Sequence, residues 1–451
     1  HVPSGIEYIG ANAFKGATIF GDLELPALTE LGAGAFANVN FLGKTVTFRA
    51  LKAINDEAFA SFKGEDVTIN VLLDNTTYTE ETESGSVTKK VLVSIGEKAF
   101  AEAKGIAAIN LTENVISVGK NAFLNTGITE INGLSGVETV GDGAFAGTAM
   151  AVINLPKAKT VGEKAFADNE ALVSLSIGME AEEAATSFNF NAIGGSVNVK
   201  TIAFGKFVTE IIEDESVFAA AQSLATVTVA EGNNAYYAHE NVLYKKIDAN
   251  AYELVYYPAN KTGTYKAEFG SAEATLKLDA DKLANSVIAL LDLTALGNRA
   301  EISGTANTVY SVAIDEKLVA AATAAFGDAI VVTDAAKATV CYDEKTGLIY
   351  EKTEKTYVGE APAEKEYDGA RVIAGDRKAT EIVVPATLGG LTVKSVKDGA
   401  FASYTLLEKL TIEATLESWN SSILDGATAL KEFSVKGWKD GYKPVLADLK
   451  G

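Results

Sequence analysis

The chain has 451 residues, with 60 acidic against 39 basic side chains, a formal net charge of −21 and a hydrophobic fraction of 47%. So acidic a balance works against nucleic acid and anionic lipid as partners, and apolar content of this order argues for a folded chain rather than a disordered one. Cys341 is the only cysteine, which excludes an internal disulfide and cysteine-cluster metal sites, and no apolar run is long enough for a membrane-spanning helix.

A repeat begins at once. YIGANAF ends at Phe14, LGAGAF at Phe36 and INDEAF at Phe59, in steps of 22 and 23 residues. IGEKAF, VGKNAF, VGDGAF and VGEKAF then place Phe100, Phe123, Phe145 and Phe166 at spacings of 23, 22 and 21. Each of these four phenylalanines is followed by a small polar turn and an alternating apolar strand: IAAINL, ITEING, AVINLP and LVSLSI. A fixed period of this length predicts a leucine-rich-repeat solenoid, a right-handed superhelix with one short parallel β-strand per coil of 22–23 residues, joined by turns or short helical segments. A solenoid also accommodates a chain too long for one compact core, because each coil buries its face only against its neighbours.

The interruptions are legible too. The step from Phe59 to Phe100 is 41 residues, and the excess lies in DNTTYTEETESGSVTKK, Asp74 to Lys90. Its Ser84-Gly85 turn between strand-like residues predicts a protruding β-hairpin, either a binding loop or a solvated insertion. Phe188 keeps the schedule, 22 residues after Phe166, without the Gly and Ala signature. Val199–Gly205 repeats the layout of Leu172–Gly178, and Val217-Phe218 closes another degenerate copy. Glu231–Lys266 holds seven of the sixteen tyrosines and reads as a β-hairpin. Those rings either form an exposed aromatic patch or pack on the solenoid. Leu276–Leu296 reads as degenerate coils, and Asp315–Phe326 as a short amphipathic helix covering an apolar end. Paired strands in Asp334–Asp376 lead into a second block whose Phe401 is followed, 23 residues on, by Leu424 in a decayed coil. Gly437–Gly451 reads as a cap or a frayed end. The expected domains are repeats over 1–230 with the 74–90 insertion, a hairpin, degenerate repeats and capping helix over 231–333, and a second block with a C-terminal cap over 334–451.

Within one coil, the Phe is expected to stack on the Phe of the next, beside an Ala kept small by a tight turn. The Gly of V-G-x-x-A-F is expected to hold a backbone conformation that other residues resist. Ile109 and Leu111, or Ile153 and Leu155, face the core two apart. The residues between them form an outward row: Glu24, Thr47, Thr68, Asn110, Asn132, Asn154, Ser176, Ala203 and Thr228. The candidate ligand-binding residues on this face are Asn110, Glu130, Asn132, Asn154, Ser174 and Ser176, with the three asparagines side by side on successive coils. Small uncharged polar groups can bond protein or sugar without stripping charges of water, or can serve as a cross-strand ladder that keeps the face wet. No catalytic set, metal site or cofactor site emerges. His1 and His239 are the only histidines. Gly141, Gly143 and Gly147 precede no Lys-Ser/Thr, and Asp279/Asp281 and Glu182/Glu183 lack the rest of a calcium loop.

The motif I/V-G-x-x-A-F followed by L-x-x-I-x-I/L, clear at Tyr8–Phe14, Leu31–Phe36, Ile95–Leu111, Val118–Ile131, Val140–Pro156, Val161–Ile177 and Val396–Ile412, resembles the BspA-like leucine-rich-repeat family of bacterial surface proteins. VLYKK…ELVYYPANKTGTY resembles the strand pair that interrupts repeats in that family. One departure is Asn125, Gly147 and Asp168, where many family repeats carry a Cys after AF, so that packing there has to be rebuilt without sulfur. The resemblance implies a secreted or cell-surface binding protein, often an adhesin for host matrix proteins or other cells, presenting a concave repeat face and having no catalytic role. A carbohydrate-binding accessory protein and a purely structural spacer are the alternatives. A monomer is expected. An opening on His1 without a methionine leaves room for a removed signal peptide or lipid anchor.

Overall fold

The computed structural model describes residues 3–438 except 73–76, 83–84, 91–92, 112–114, 181–185, 260, 358–361, 363 and 419–420. The chain is a parallel β-solenoid whose contacts divide it into two compact units, His1–Lys246 and Ile247–Gly451.

In the first unit a coil contributes two strands rather than one. The V-G or I-G dipeptide ends a short strand, such as Thr139–Val140 or Thr160–Val161, and these strands belong to one parallel sheet of nine. The L-x-x-I-x-I stretch makes the longer strand. Leu23–Leu25, Thr45–Phe48, Val67–Val71, Ile106–Leu111 and Glu130–Asn132 form one parallel sheet, and Val152–Leu155, Ser174–Ile177, Thr201–Phe204 and Thr226–Val229 form another. Alternation decides which side faces in. Leu23, Val46, Ile69, Ile109 and Ile131 fall opposite one another in the register and are all buried. A slip of one residue would expose that whole row.

The aromatic column is present. Phe14, Phe36, Phe59, Phe100, Phe123, Phe145 and Phe166 stack in series, with centroids 5.1–5.9 Å apart and ring planes within 16° of parallel. The backbone stacks with them: the N–H of Phe123 donates to Ala144 O at 2.8 Å and that of Phe145 to Ala165 O at 2.7 Å. Phe188 does not continue the column. It lies in the strand Thr186–Asn189, next to Ser187, which pairs with Thr160. It therefore takes the place of Val161, five positions ahead of the column. Phe166 N–H donates instead to Ala192 O, which puts the buried Ile193 next in the stack.

The glycine of the motif works differently from the expectation. Gly96, Gly119, Gly141 and Gly162 are absent from the residues with positive φ. What they provide is closeness: a Cβ on Gly119 would lie 2.7 Å from Gly96 C, and one on Gly162 would lie 2.4 Å from Asp142 N. The left-handed positions flank the Phe at two residues on either side. They are Asn121 and Asn125 around Phe123, Gly143 and Gly147 around Phe145, and Lys164 and Asp168 around Phe166. Asn125 and Asp168 are exposed and Gly147 half-buried, so no packing had to be rebuilt there. The buried small position is one residue later. Asn169 Oδ1 accepts the Thr148 N–H and Oγ1–H, Asn169 Nδ2 donates to Phe145 O, and Ser196 Oγ donates to Phe166 O.

The insertion forms the expected hairpin, Thr77–Thr82 against Gly85–Lys90. The repeat resumes beyond it in register, with Ser94 opposite Ala53, Ile95 opposite Ile54 and Phe100 stacked on Phe59. Deleting Asn75–Lys89 is therefore expected to change stability by less than about 1 kcal/mol, since loop length enters closure entropy only logarithmically. A large fall in thermal midpoint would instead make the hairpin part of the core.

A second hairpin closes the first unit. Tyr236–His239 pairs with Val242–Lys246 across Glu240-Asn241, both left-handed as a type I′ turn demands. Asn233 anchors it: its Nδ2 donates to Gly205 O and Val208 O, and its Oδ1 accepts Ala235 N–H and Tyr236 N–H. The tyrosines do not make an exposed patch. Tyr236, Tyr244, Tyr252, Tyr256, Tyr257 and Tyr265 are all buried, leaving only Tyr237 half-exposed.

In the second unit, Ala251–Tyr256, Thr275–Asp279 and Ala300–Ser303 form one parallel ladder, and Thr262–Lys266, Val287–Asp292, Ser311–Ala313 and Ile330–Val332 another. The helix Val319–Phe326, entered through the turn Glu316–Leu318, connects Ser311–Ala313 to Ile330–Val332. It is the crossover of a coil, burying Ala322, Ala325 and Phe326. Val340–Asp343, Leu348–Glu354 and Tyr367–Ala374 run antiparallel. Glu381–Val384, Lys409–Leu416 and Glu432–Trp438 then resume the parallel stack. Phe401 N–H donates to Ile423 O at 2.9 Å, so Leu424 occupies the column position as the spacing predicts. Of the expected cap at Gly437–Gly451, residues 439–451 lie outside the described residues.

Candidate functional site

The longer strands of the first unit turn every second side chain away from the core, and the register lines those side chains up. Thr47 stands opposite Asn70, Asn70 opposite Asn110, and Asn110 opposite Asn132. The amides are bonded in one direction. Asn132 Nδ2 donates to Asn110 Oδ1 at 2.9 Å, Asn110 Nδ2 to Asn70 Oδ1 at 2.7 Å, and Asn70 Nδ2 to Thr47 Oγ1 at 3.3 Å. An amide offers two N–H donors and two lone pairs on its oxygen. The ladder uses one donor on each asparagine and one lone pair on Asn70 and Asn110, and the remainder faces outward. Beside this row runs a second, Thr45, Thr68, Ala108 and Glu130, two residues toward the start of each strand.

Thr68 thus belongs to the second row, and Asn70 takes its place in the first. The strand Val67–Val71 is five residues long, and its Ile69 and Val71 are the pair that align with Ile109 and Leu111. The dipeptide Ile-Asn, which recurs at 69–70, 109–110, 131–132 and 153–154, is the signal that would have found Asn70.

Asn154 is not the next rung. Glu130–Asn132 and Val152–Leu155 belong to different sheets. After Asn132 the chain turns at Gly133, φ 89°, into the 3-10 turn Leu134–Gly136, which ends the strand one residue after Ile131. Asn154 opens a new row with Ser176, Ala203 and Thr228, and Ser176 Oγ donates to Asn154 Oδ1 at 2.6 Å. Ser174 stands in the adjoining row, opposite Val152 and Thr201, and Val152 is 61% exposed. The six candidate residues therefore fall into two groups, Asn110, Glu130 and Asn132 on one sheet and Asn154, Ser174 and Ser176 on the next.

Charge marks the edge of the first sheet. Arg49 pairs with Glu24 at 3.3 Å, and Asp22 accepts Lys44 N–H and Thr45 N–H. The Lys44 and Thr45 N–H bonds hold the Asp22 carboxyl below its ordinary range. The late ladder of the second unit is built differently. Glu381, Lys409 and Glu432 share one row, and Lys409 reaches the two carboxylates at 3.1 and 3.8 Å. There the outward charges are engaged with one another.

Other polar groups that the sequence brings forward are engaged in local contacts among the described residues. A cleft of about 610 Å³ at the first coil is lined by Phe14, Ile19, Phe20 and Leu23. The carboxylates at its rim, Asp22 and Glu24, are those already bonded to Lys44, Thr45 and Arg49. His239 stacks on Tyr237. Asp279 Oδ1 accepts Asp281 N–H and Asp281 Oδ1 accepts Thr305 N–H, so both acids cap turns. Among the described residues no group of three His, Cys, Asp or Glu side chains is placed to hold a metal ion. Glu182 and Glu183 lie outside the described residues.

A family model described as BspA type leucine rich repeat region matches six copies over residues 1–82, 93–225 and 377–438, more than half of the chain. No curated protein matches. Among solved structures, the chain is similar to a leucine rich cell surface protein of Faecalibacterium prausnitzii, at 16% identity, 95% of this chain, 93% of that one and a TM-score of 0.37. It is also similar to the pneumococcal vaccine antigen PcpA, at 17% identity, 88% and 84% coverage and a TM-score of 0.38. A leucine-rich repeat protein of Bacteroides ovatus matches at 15% identity, 73% and 76% coverage and a TM-score of 0.40.

Proposed function

We propose a binding role for this chain, which belongs to the BspA-type leucine-rich-repeat family. In this reading it is a non-enzymatic cell-surface or secreted protein of adhesin type, and the outward face of the first unit meets a protein partner. The observation that carries the reading is the amide ladder from Thr47 to Asn132. It is a pre-ordered row of hydrogen-bonding groups whose side-chain freedom is already restricted by the ladder. Binding there costs less entropy than ordering free side chains would, and no ion within the ladder itself has to lose its water. Among the described residues no helix is long and apolar enough to cross a membrane.

Replacing Asn110, Asn132 and Asn154 together by Lys is expected to abolish binding to extracellular-matrix or cell-surface protein by at least an order of magnitude. Three like charges oppose a partner fitted to a neutral face, while far-UV circular dichroism stays unchanged. Asn154 alone, on the second sheet, should matter less than the bonded pair Asn110 and Asn132. Intact binding by the triple variant would move the site to the Thr77–Lys90 hairpin or another face. Binding to a glycan array, with none to protein, would favour the carbohydrate reading.

A further inference from the structure

We propose that Asn132-Gly133 is a site of spontaneous covalent change, at which the last amide of the ladder converts to aspartate and isoaspartate through a cyclic imide. It is the only Asn-Gly in the chain. The reaction needs a backbone nitrogen free to attack the side-chain carbonyl carbon, and little bulk on the residue that supplies it. Both conditions meet here. Asn132 is exposed. Gly133 lies just past the end of the strand Glu130–Asn132, in a left-handed conformation, and its N–H enters no hydrogen bond among the described residues. Among the described residues the Asn132 amide is held on its nitrogen side only, by the bond from Nδ2 to Asn110 Oδ1.

The steps balance without any further reagent than water. The Gly133 nitrogen loses its proton to solvent base and bonds to Asn132 Cγ. The Cγ–Nδ2 bond breaks, and Nδ2 takes up a proton and leaves as ammonia. Water then opens the five-membered imide at one of its two carbonyls. Opening at the former side-chain carbonyl gives aspartate. Opening at the main-chain carbonyl leaves the chain running through Cγ as isoaspartate. The ladder supplies its own controls, because Asn110 precedes Leu111 and Asn70 precedes Val71. Both of those neighbours are branched, lie within strands and follow an asparagine inside the paired register.

Conversion removes the Nδ2–H that Asn132 donates to Asn110 Oδ1 and sets a carboxylate against that oxygen. Isoaspartate also lengthens the backbone at the strand's end. For binding, this consequence rests on the reading given above and would make the face lose affinity with age; the chemistry itself does not rest on it.

The test therefore needs no partner. The full chain is incubated in mildly alkaline buffer at physiological temperature, folded and in urea, and peptide-mapped at intervals. The expected result is a peptide containing residue 132 that resolves into asparagine, aspartate and isoaspartate forms in the folded sample, with the mass shift of amide-to-acid conversion. An isoaspartate-specific methyltransferase should label it. Asn132→Gln, which keeps an amide but disfavours the five-membered ring, should show neither change. Gly133→Ala is no substitute for that control, since a Cβ there would lie 2.1 Å from Leu111 O. Conversion in urea but not in the folded chain, or conversion of Asn70 and Asn110 at the same rate as Asn132, would overturn the proposal. Loss of the amide with binding retained would refute the binding face and leave this site standing.

Discussion

Phe123→Ala is expected to destabilise the first unit by about 3–5 kcal/mol, the range for deleting a fully buried aromatic ring. Phe123 has no exposed surface, and rings lie against both of its faces, Phe100 at 5.1 Å and Phe145 at 5.3 Å. The substitution therefore opens a cavity between coils as well as removing apolar burial. Each lost stacking contact is worth a further 0.5–1.5 kcal/mol, roughly, on top of area. The loss should also be distributed unevenly. In a solenoid, coils are held by their interfaces with neighbours, so amide exchange should quicken first in the coils of Phe100 and Phe145. Phe14→Ala should cost much less, because Phe14 is half-buried and stacks on Phe36 alone within the column. Urea unfolding of the two variants checks the pair. A loss below about 1 kcal/mol at Phe123 would show that the core closes over the gap, contrary to the packing limits that such cavities usually meet.

Much of this architecture was legible because two periodicities are written into the same residues. The longer period places Phe14 through Phe166, and the alternation within each strand assigns Ile109 and Leu111 to the core. Both expectations hold in the stack and in the register. Spacing alone misplaces residues where a coil changes length. Phe188 arrives on schedule, yet a longer coil puts it in the position of Val161, a shift visible in the pairing of Ser187 with Thr160 and in the bond from Phe166 N–H to Ala192 O. Thr68 lies between the first apolar pair of its strand, Val67 and Ile69, whereas the neighbouring strand selects the second pair, Ile69 and Val71. The break between Asn132 and Asn154 had a local sign in Gly133, whose effect depends on φ and on the nearness of Leu111 O. The tyrosines were ambiguous for a different reason. Composition places them together, but burial is decided by what packs over them.

The glycine of the motif separates two physical accounts of one residue. If that glycine were needed for its conformational freedom, every copy would suffer alike on gaining a side chain. If it is needed because the preceding coil's backbone lies against it, the cost depends on whether a neighbour is there. Gly162 and Gly10 hold the same place in their repeats and differ in that respect. An added Cβ on Gly162 would meet Asp142 N at 2.4 Å and Gly141 C at 2.5 Å, whereas one on Gly10 would meet nothing nearer than the Tyr8 ring at 3.7 Å. Those backbone atoms cannot yield freely. Gly162 N–H donates to Val140 O at 2.8 Å, and Glu163 N–H donates to Asp142 Oδ1 at 3.0 Å, so separating the coils strains both bonds. Gly162→Ala is thus expected to cost at least the roughly 1–3 kcal/mol typical of overpacking. Gly10→Ala, at a position with ordinary negative φ, should be neutral or stabilising by up to about 1 kcal/mol, since it lowers the entropy of the unfolded chain. The measurement is the difference in urea midpoint between the two variants. Equal losses at both positions would restore the conformational account, and a neutral Gly162→Ala would mean that the coils are free to move apart at that turn.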